Sequence, residues 1–463
     1  MSVTMVSKQI IVIAVVAILI VSGVGVAVIL MGGNNNEKTN YSYNIVSKGT
    51  GTVKSYLVIY GNANNDNYLN NDDVKFIQDI VDGKAAWNKD ANPYADANFD
   101  GKITTDDVNV VKDFIAGKET EMYYVNWDLD VQKIKYPLKG DMCVGLVSWL
   151  DGCMIMDVYD KVKYVETDPS ALDENVYPNA HSLKEITIAD NYSYTYESIL
   201  ATGCSIVLGE NYNFTEKYLS DMKNSKTNIT NILLPIDWSI NNCNWVTAII
   251  TITAMMNNVS GNEVYQKYCD HIAEATDMLN SAIASSAIPT DNTYAIAFEA
   301  LSSTDMCAQL HGTSNVLYGD VGTMEILPVT NVLTPQTEHC YSTDGYVVGL
   351  TAETFITGNP DIMILEYYGT LNMPMSEWQA KLAEAKTFFG AMDAVYIGIP
   401  YEVLGAIPGP TALLVMASYI WPGSIDLEDS LGMLMYYYNT FTNVHFDNIT
   451  QLQNSPYCPV LVA

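Results

Sequence analysis

Two stretches of the chain carry short oxygen-bearing side chains at the spacing of a calcium loop. Residues 62–73 read NANNDNYLNNDD, and residues 96–107 read DANFDGKITTDD. Oxygen ligands at loop positions 1, 3, 5 and 12 suit Ca²⁺, because this hard cation takes about 6–8 oxygen ligands at roughly 2.3–2.6 Å. The sequence therefore predicts one or two calcium sites, which would fill most easily where calcium is abundant, outside the cytoplasm.

A short amphipathic helix follows each loop, and the two helices match position by position. Four apolar positions share one face of each predicted helix. They are Val74, Ile77, Ile80 and Val81 in the first helix and Val108, Val111, Phe114 and Ile115 in the second. Gly83 and Gly117 suit the left-handed position that ends a helix. Because one such helix cannot bury its apolar face alone, we expect the two repeats to pack together.

A loop followed by one helix, in duplicate, resembles a dockerin rather than an EF-hand, which has a helix on both sides of its loop. The resemblance implies a small all-α calcium-binding domain over residues 56–120. It also implies a ligand set: the side chains of Asn62, Asn64, Asp66 and Asp73 in loop one and of Asp96, Asn98, Asp100 and Asp107 in loop two, the carbonyls of Tyr68 and Lys102 at position 7, and Asn70 and Thr104 at position 9, directly or through water.

Loop one departs from the family pattern at two positions. Asn62 replaces the usual acid, and Asn67 stands where Gly101 makes a sharp turn in loop two. We expect loop one to bind calcium more weakly, because it has one negative ligand fewer. The alternative is that loop one is only a polar turn.

Positions 10 and 11 of a dockerin loop help to select its cohesin partner. Here they are Asn71-Asp72 and Thr105-Asp106, which do not resemble the usual Ser-Thr pairs. Two alternatives stay open: a cohesin-like partner, or a structural calcium-bound spacer.

An uncharged apolar run from Ile10 to Met31 precedes this module. As a helix it spans about 33 Å at ~1.5 Å per residue, against a hydrocarbon core of ~30 Å. With Lys8 before it, the run predicts a transmembrane anchor over residues 1–33, a linker over 34–55 and an extracytoplasmic body. A cleaved signal peptide is the alternative, but the run is long for one and lacks an Ala-x-Ala-like end.

The chain is strongly acidic, with 22 Lys and Arg against 53 Asp and Glu and a formal charge of −31. This charge excludes a general attraction to nucleic acid or anionic lipid. Eight cysteines are scattered without a Cys-x-x-Cys pair: Cys143, Cys153, Cys204, Cys243, Cys269, Cys307, Cys340 and Cys458. Outside the cell they are either disulfides or buried thiols, and the spacing does not give a pairing.

Beyond Glu121 the chain alternates strand-like and helical patterns, as in α/β domains with parallel sheets. A short helix with a glutamate in its first turn precedes a buried strand twice, at 195–208 and at 351–365. Between the two copies, apolar residues at steps of three and four predict a long helix from Gly261 to about Ser285. The pattern indicates two lobes joined by this helix.

This region resembles the substrate-binding proteins of ABC importers for iron-siderophore, haem or cobalamin. The family string LExILALKPDLVI is echoed by Tyr196–Leu208 and by Ala352–Leu365, and its GPxALL helix start by Gly409–Leu414. Ala417–Pro422 stands where the family often has AKWLHP. The resemblance implies two Rossmann-like lobes within residues 121–463, a metal-chelate or corrinoid ligand and an ABC permease partner. Archaeal versions of the family keep an N-terminal membrane helix.

In that family a surface glutamate on each lobe docks against arginines of the permease. The matching positions are Glu197 and Glu353. A carboxylate on each lobe can hold an arginine bidentately and fix the orientation of docking. The alternative is that each glutamate merely complements its own helix dipole.

The resemblance places the ligand in the cleft between the lobes, at the carboxyl ends of strands. The candidate contacts are mostly aromatic, which suits a planar macrocycle: Trp149, Tyr192, Tyr194, Trp238, His311, Tyr367 and Tyr368. Core packing or lobe surface is the alternative for each of them, and a loop histidine such as His311 is usually not a metal ligand. Without a basic cluster, the sequence favours a neutral or cationic chelate, or a corrinoid, over a strongly anionic siderophore.

Two other functions are possible alternatives to this one. An enzyme is not expected, because only five histidines occur and no His-x-x-x-His, Gly-x-Ser-x-Gly or Gly-rich phosphate loop is present. The second rival is a cell-surface interaction protein, whose calcium module recruits a partner and whose body is a relic or recognises a glycan.

Overall fold

The computed structural model describes residues 57–66, 68–125, 131–145, 147–188, 193–209, 214–225, 229–232, 251, 253–256, 263–309, 324, 327–333, 346–404 and 409–462. The predicted anchor and nearly all of the linker lie outside these residues. Within them, no helix has both the length and the apolar character needed to cross a bilayer. The chain divides into two compact units, residues 1–139 with 250–274 and residues 140–249 with 275–463.

In the first unit, both predicted helices are present. Helix α1 spans Asn71–Val81 and α2 spans Thr105–Ile115. Both begin with a capping box, in which the cap side chain (Asn70 or Thr104) and the side chain three residues on accept backbone N–H groups reciprocally. Gly83 and Gly117 have φ of 71° and 64°, which confirms the left-handed ends.

The two repeats pack together around a shared core, as the sequence predicts. The core contains Ala63, Ile77, Ala95, Ala97, Val108 and Val111. An antiparallel hairpin follows, with β1 at Thr120–Val125 and β2 at Val131–Tyr136. The hydroxyl of Tyr136 donates to the carbonyl oxygen of Phe114 at 2.8 Å, so the hairpin is tied to α2 and this unit extends past residue 120.

The second unit contains two sheets. The first is a five-stranded parallel sheet in the order β5-β4-β3-β6-β7. Its elements along the chain are β3 (Met142–Val144), α3 (Val147–Ile155), β4 (Val162–Val165), β5 (Lys184–Glu185), α4 (Tyr196–Thr202), β6 (Ile206–Leu208), α5 (Glu216–Ser225) and β7 (Thr230–Ile232).

The predicted long helix is α6, Glu263–Ala284, which lies in sequence between the two sheets. Its 22 residues agree with the expected span of 261–285. The division between the two units falls within it, after Glu274. The expectation of two sheet-containing halves with one long helix between them in the chain is therefore confirmed.

The second sheet has seven strands in the order β11-β9-β8-β12-β13-β14, with β10 beside β8. The strands are β8 (Thr293–Ser302), β9 (Asp305–Gln309), β10 (Thr330–Asn331), β11 (Tyr346–Leu350), β12 (Ile362–Tyr367), β13 (Val395–Pro400) and β14 (Val460–Leu461). Its centre, β8-β12-β13, is parallel, whereas β9, β11 and β14 pair antiparallel.

Helices cover both faces of this sheet. They are α7 (Ala352–Gly358), α8 (Met375–Phe388), α9 (Tyr401–Leu404), α10 (Gly409–Ile420), α11 (Leu427–Phe441) and α12 (Ile449–Gln453). Alternate residues of β12 enter opposite cores: Ile362 and Ile364 pack with α10, and Met363 and Leu365 pack with α8. Strand β12, buried along its whole length, thus forms the centre of the second half.

Candidate functional site

The two calcium-like loops share backbone-to-side-chain hydrogen bonds at positions 5 and 12. At position 5, Asp66 Oδ1 accepts from Tyr68 N at 2.6 Å, and Asp100 Oδ1 accepts from Lys102 N at 2.9 Å. At position 12, Asp73 accepts from Asn64 N and Asn70 N, and Asp107 accepts from Asn98 N and Thr104 N. The loops therefore repeat in geometry as well as in sequence.

The loops differ at position 1. In loop two, Asp96 accepts backbone N–H bonds from Asp100 at 3.0 Å and from Gly101 at 2.8 Å. In loop one, the Asn62 side chain donates instead, from Nδ2 to the carbonyl oxygens of Leu57 and Asp66, both at 2.9 Å. Loop one thus has two carboxylates among its predicted ligands, and loop two has three.

The predicted ligands fit calcium in type and in order, since all of them are hard oxygen donors on a loop that closes on itself. Burial raises the pKa of Asp73 to about 7 and raises the pKa of Asp96 and of Asp107. Within the described residues, however, no three Asp, Glu, His or Cys side chains already converge as a metal site. Calcium binding therefore stays a prediction.

The two helix–strand units predicted from sequence are present and matched. Helices α4 and α7 each have seven residues, and each ends before a left-handed residue, Gly203 with φ 71° or Asn359 with φ 46°. Glu197 and Glu353 occupy the second position of their helices, and both side chains are exposed. Exposure at equivalent positions is what a docking role requires.

The seven predicted cleft contacts separate into three groups. Tyr192, Trp238 and His311 lie outside the described residues. Trp149, Tyr194 and Tyr367 are interior: Trp149 is fully buried, and the hydroxyls of Tyr194 and Tyr367 donate to the carbonyl oxygens of Leu208 and Ala300 at 3.3 and 2.7 Å. These three correspond to the alternative of core packing. Among the four contacts that the structure describes, only Tyr368 lies where the two halves of the second unit meet.

At that meeting point the two sheets are linked by side chains from both halves. The hydroxyl of Tyr368, just after β12, lies 2.5 Å from the hydroxyl of Thr167, which follows β4. Tyr457, before β14, donates its hydroxyl to Asp173 of the first half. These contacts place the carboxyl ends of β4 and β12 opposite each other.

Four acidic residues surround these links, and we call Asp151, Asp173, Glu299 and Glu402 the carboxylate cluster. Asp151, on α3, accepts from Tyr177 Oη at 2.6 Å. Glu299 accepts from Tyr368 N at 2.6 Å, and Glu402 accepts from Gly369 N at 2.8 Å. Their described hydrogen-bond partners are tyrosine hydroxyls, Asn175 and backbone N–H groups. In the described part of the chain, no lysine or arginine pairs with these four carboxylates.

Burial raises the pKa of Asp151, Asp173 and Glu402. Burial is the largest cause that raises the pKa of Asp151 and that of Glu402, each to about 7, and the negative charge of neighbouring members contributes to both values. The Glu402 Oε2 atom is shielded from solvent and has no hydrogen-bond partner. A group with shared negative charge and few donors favours a cationic or proton-donating occupant.

The backbone of Glu299, a member of the carboxylate cluster, has an unusual conformation. It has φ 50°, a left-handed conformation that non-glycine residues rarely adopt, and it lies where the pairing of β8 with β9 shifts register. Irregularities of this kind re-aim a side chain out of a sheet and are over-represented at functional sites.

Sequence reasoning missed the whole carboxylate cluster. Its members lie far apart in the chain, and each alone looks like an ordinary surface acid. One signal was available: Glu402 and Tyr368 both follow strongly apolar strand patterns, where a parallel sheet collects functional residues.

No protein-family model matches the chain, and no curated protein matches it. Solved structures do match. An ABC transporter solute-binding protein from Sulfurospirillum deleyianum is 13% identical and covers 72% of this chain and 98% of its own, with a TM-score of 0.50. The TroA-like periplasmic binding protein FepB from Veillonella parvula is 13% identical, covers 74% and 99%, and has a TM-score of 0.51. A periplasmic solute-binding protein from the same organism is 10% identical, covers 73% and 97%, and has a TM-score of 0.51.

At such low identity these matches show the fold alone. The chain has the mixed α/β fold of TroA-like periplasmic binding proteins. Its fold neighbours are solute-binding proteins rather than enzymes, in agreement with the sequence.

Proposed function

We propose that this protein is the extracytoplasmic substrate-binding component of an ABC importer, held to the membrane by its N-terminal segment. It captures a metal chelate, of the ferric siderophore, haem or cobalamin kind, and delivers it to a permease. One observation carries the proposal: the two sheets of the second unit meet at the carboxyl ends of their strands, through Thr167 with Tyr368 and Asp173 with Tyr457. That is where α/β folds bind ligands.

The negative charge of the carboxylate cluster limits which ligands could bind where the two sheets meet. The four carboxylates have no lysine or arginine partner in the described residues, and in their ionised forms they would repel a strongly anionic siderophore. The same carboxylates accept hydrogen bonds from amides and ammonium groups, which corrinoids and cationic chelates carry on their edges. The proposed ligand is therefore neutral or cationic.

A second candidate function has its own observation. Loop positions 10 and 11 of both repeats, Asn71-Asp72 and Thr105-Asp106, are exposed on the first unit. Exposed residues at these positions suit a cell-surface interaction protein whose calcium module binds a cohesin-like partner. Calcium-dependent capture of one purified surface protein by the full chain, lost on reversing Asp72 and Asp106 to lysine, would favour this function over transport.

The ligand prediction is tested by titrating the full chain in mild detergent with cobalamin, haem and ferric siderophores of different charge. We expect at least one neutral or cationic member to change the tryptophan fluorescence or raise the melting temperature. Tyr368→Phe should lower affinity about tenfold, because it removes one hydroxyl that reaches across the cleft. Tyr367→Phe is the matched control, since its hydroxyl bonds only within the second half. If no compound binds, or if both variants weaken binding equally, the proposed site is wrong.

The pH dependence of stability follows from the raised pKa values of Asp151 and Glu402. Both pKa values are about 7 in the folded chain, above the ordinary values of about 4 in the unfolded chain. Between about pH 4 and 7 the folded state holds more protons, so its stability should fall as pH rises, by at most ~1.4 kcal/mol per pH unit for each group. Urea unfolding at pH 5 and pH 8, with calcium present, measures this loss. The double variant Asp151→Asn, Glu402→Gln should flatten it, and an unchanged slope would contradict the assignment.

Docking is tested by reversing Glu197 and Glu353 together to lysine. Uptake in whole cells should be abolished, because each lobe loses the carboxylate that would pair with a permease arginine. Ligand affinity should be unchanged. The matched control reverses Glu216 and Glu377, which are also exposed first-turn glutamates, one in each half. Equal loss in both double variants would support the helix-dipole alternative instead.

Calcium binding is tested with one charge-removing change at position 5 of each loop. Asp100→Asn and Asp66→Asn both keep the oxygen that accepts the backbone N–H. In calorimetric titration we expect two unequal calcium steps, with Asp100→Asn weakening the tighter step and Asp66→Asn the weaker one, each about tenfold or more. A single step that responds only to Asp100→Asn would identify loop one as a polar turn.

A further inference from the structure

Helices α4 and α7 each expose one large aliphatic side chain. Leu200 on α4 is 48% exposed, and Ile356 on α7 is 42% exposed. Each of them lies three residues after the exposed glutamate of its helix, Glu197 or Glu353. Because residues three apart are neighbours on a helix surface, a carboxylate and an aliphatic group form one exposed pair on each helix.

Packing inside the protein does not explain these two aliphatic residues. On each helix the residue just before the aliphatic one, Ile199 or Phe355, is fully buried and belongs to a hydrophobic core. In the described part of the chain eight large apolar side chains are exposed, and two of the eight fall at equivalent positions of these short helices. Single exposed apolar residues are ordinary, whereas the same exposed pair in both halves indicates a shared partner.

The acidic member of each pair is available to an external cation. Within the described residues, neither Glu197 nor Glu353 takes part in a salt bridge, and Lys217, on the neighbouring helix α5, pairs with Asp221 at 2.5 Å. The chain has a formal charge of −31, so it would repel a second copy of itself or an anionic lipid surface. The complementary partner is therefore a protein surface with basic side chains.

We propose that Leu200 and Ile356 are apolar anchors of the surface that docks on the permease, each entering an apolar pocket beside the arginine that pairs with Glu197 or Glu353. The inference rests on the proposed function, because the permease is the partner that this function requires. An apolar contact beside an ion pair excludes water from it, which strengthens the ion pair and reduces its screening by salt. The partner surface has its arginine and its apolar pocket about 5–6 Å apart, as the two side chains are on each helix.

Photo-crosslinking in intact cells tests the contact directly. A photoreactive phenylalanine derivative replaces Leu200 or Ile356 in the full chain, and replaces Tyr436 or Leu461 in the controls, which are exposed apolar residues on α11 and β14. We expect covalent links from positions 200 and 356 to an ABC permease subunit, at a peptide that contains arginine, and none from the controls. Links to a second copy of this chain, equal links from the controls, or no link from positions 200 and 356 would overturn the proposal.

Binding of the full chain, in mild detergent, to the permease identified by crosslinking provides the second readout. The double variant Leu200→Ser, Ile356→Ser should bind about tenfold more weakly at ~0.5 M salt, where screening leaves the apolar contacts to hold the complex. The control double variant Tyr436→Ser, Leu461→Ser should bind like the unaltered chain. The crosslinking experiment keeps a large apolar side chain at each position, so its result does not depend on whether the serine variants fold.

The glutamate variants separate failure of this inference from failure of the proposed function. Suppose that Glu197→Lys, Glu353→Lys abolishes binding while Leu200→Ser, Ile356→Ser binds like the unaltered chain. The apolar anchors are then wrong, and docking through the glutamates stands. If neither double variant changes binding, docking through α4 and α7 is wrong altogether.

Discussion

The parallel pairing of β12 with β8 on one side and β13 on the other determines how the candidate site is built. Parallel neighbours end at the same edge of a sheet, so the residues that follow them meet. Tyr368 N donates to Glu299, which on β8 follows the last residue paired with β12, and the next residue, Gly369, donates to Glu402 after β13. The chain leaving β12 is therefore held between two carboxylates, and Gly369 takes φ 67° to allow this.

Burying carboxylates between the two sheets lowers the stability of the folded chain. A buried acid without a cationic partner loses hydration, and the pKa values of about 7 for Asp151 and Glu402 express that loss. Apolar or amide side chains of similar size would fill the same volume without it. A fold under selection for stability alone has no reason to place several acids between two sheets, so the cluster supports a binding role for this position.

The sequence predicted the elements of this fold better than the site within it. The helices after the calcium-like loops, the long helix over Glu263–Ala284 and the two helix–strand units follow from periodicity and capping, which are local properties. The cleft contacts are not local. Trp149, Tyr194 and Tyr367 lie close in sequence to strands, as residues that contact a ligand would, but their side chains are buried in the interior. A shift of one residue along a strand moves a side chain to the opposite face, as the difference between Tyr367 and Tyr368 shows. The carboxylate cluster depends on tertiary pairing and had no sequence pattern of its own.

The two helix–strand units allow the roles of their shared residues to be separated. At α4, the Thr195 side chain caps the helix by accepting from Ser198 N at 3.1 Å, whereas at α7 the Thr351 side chain makes no capping hydrogen bond. Capping chemistry therefore differs between the copies. Both helices nevertheless have an exposed glutamate at the second position. Helix α7, which lacks a side-chain cap, would need a negative charge near its N-terminus more than α4 does. A residue placed for helix stability alone would be expected to vary with the cap. Glu197 and Glu353 do not, which supports a shared external partner over a local role.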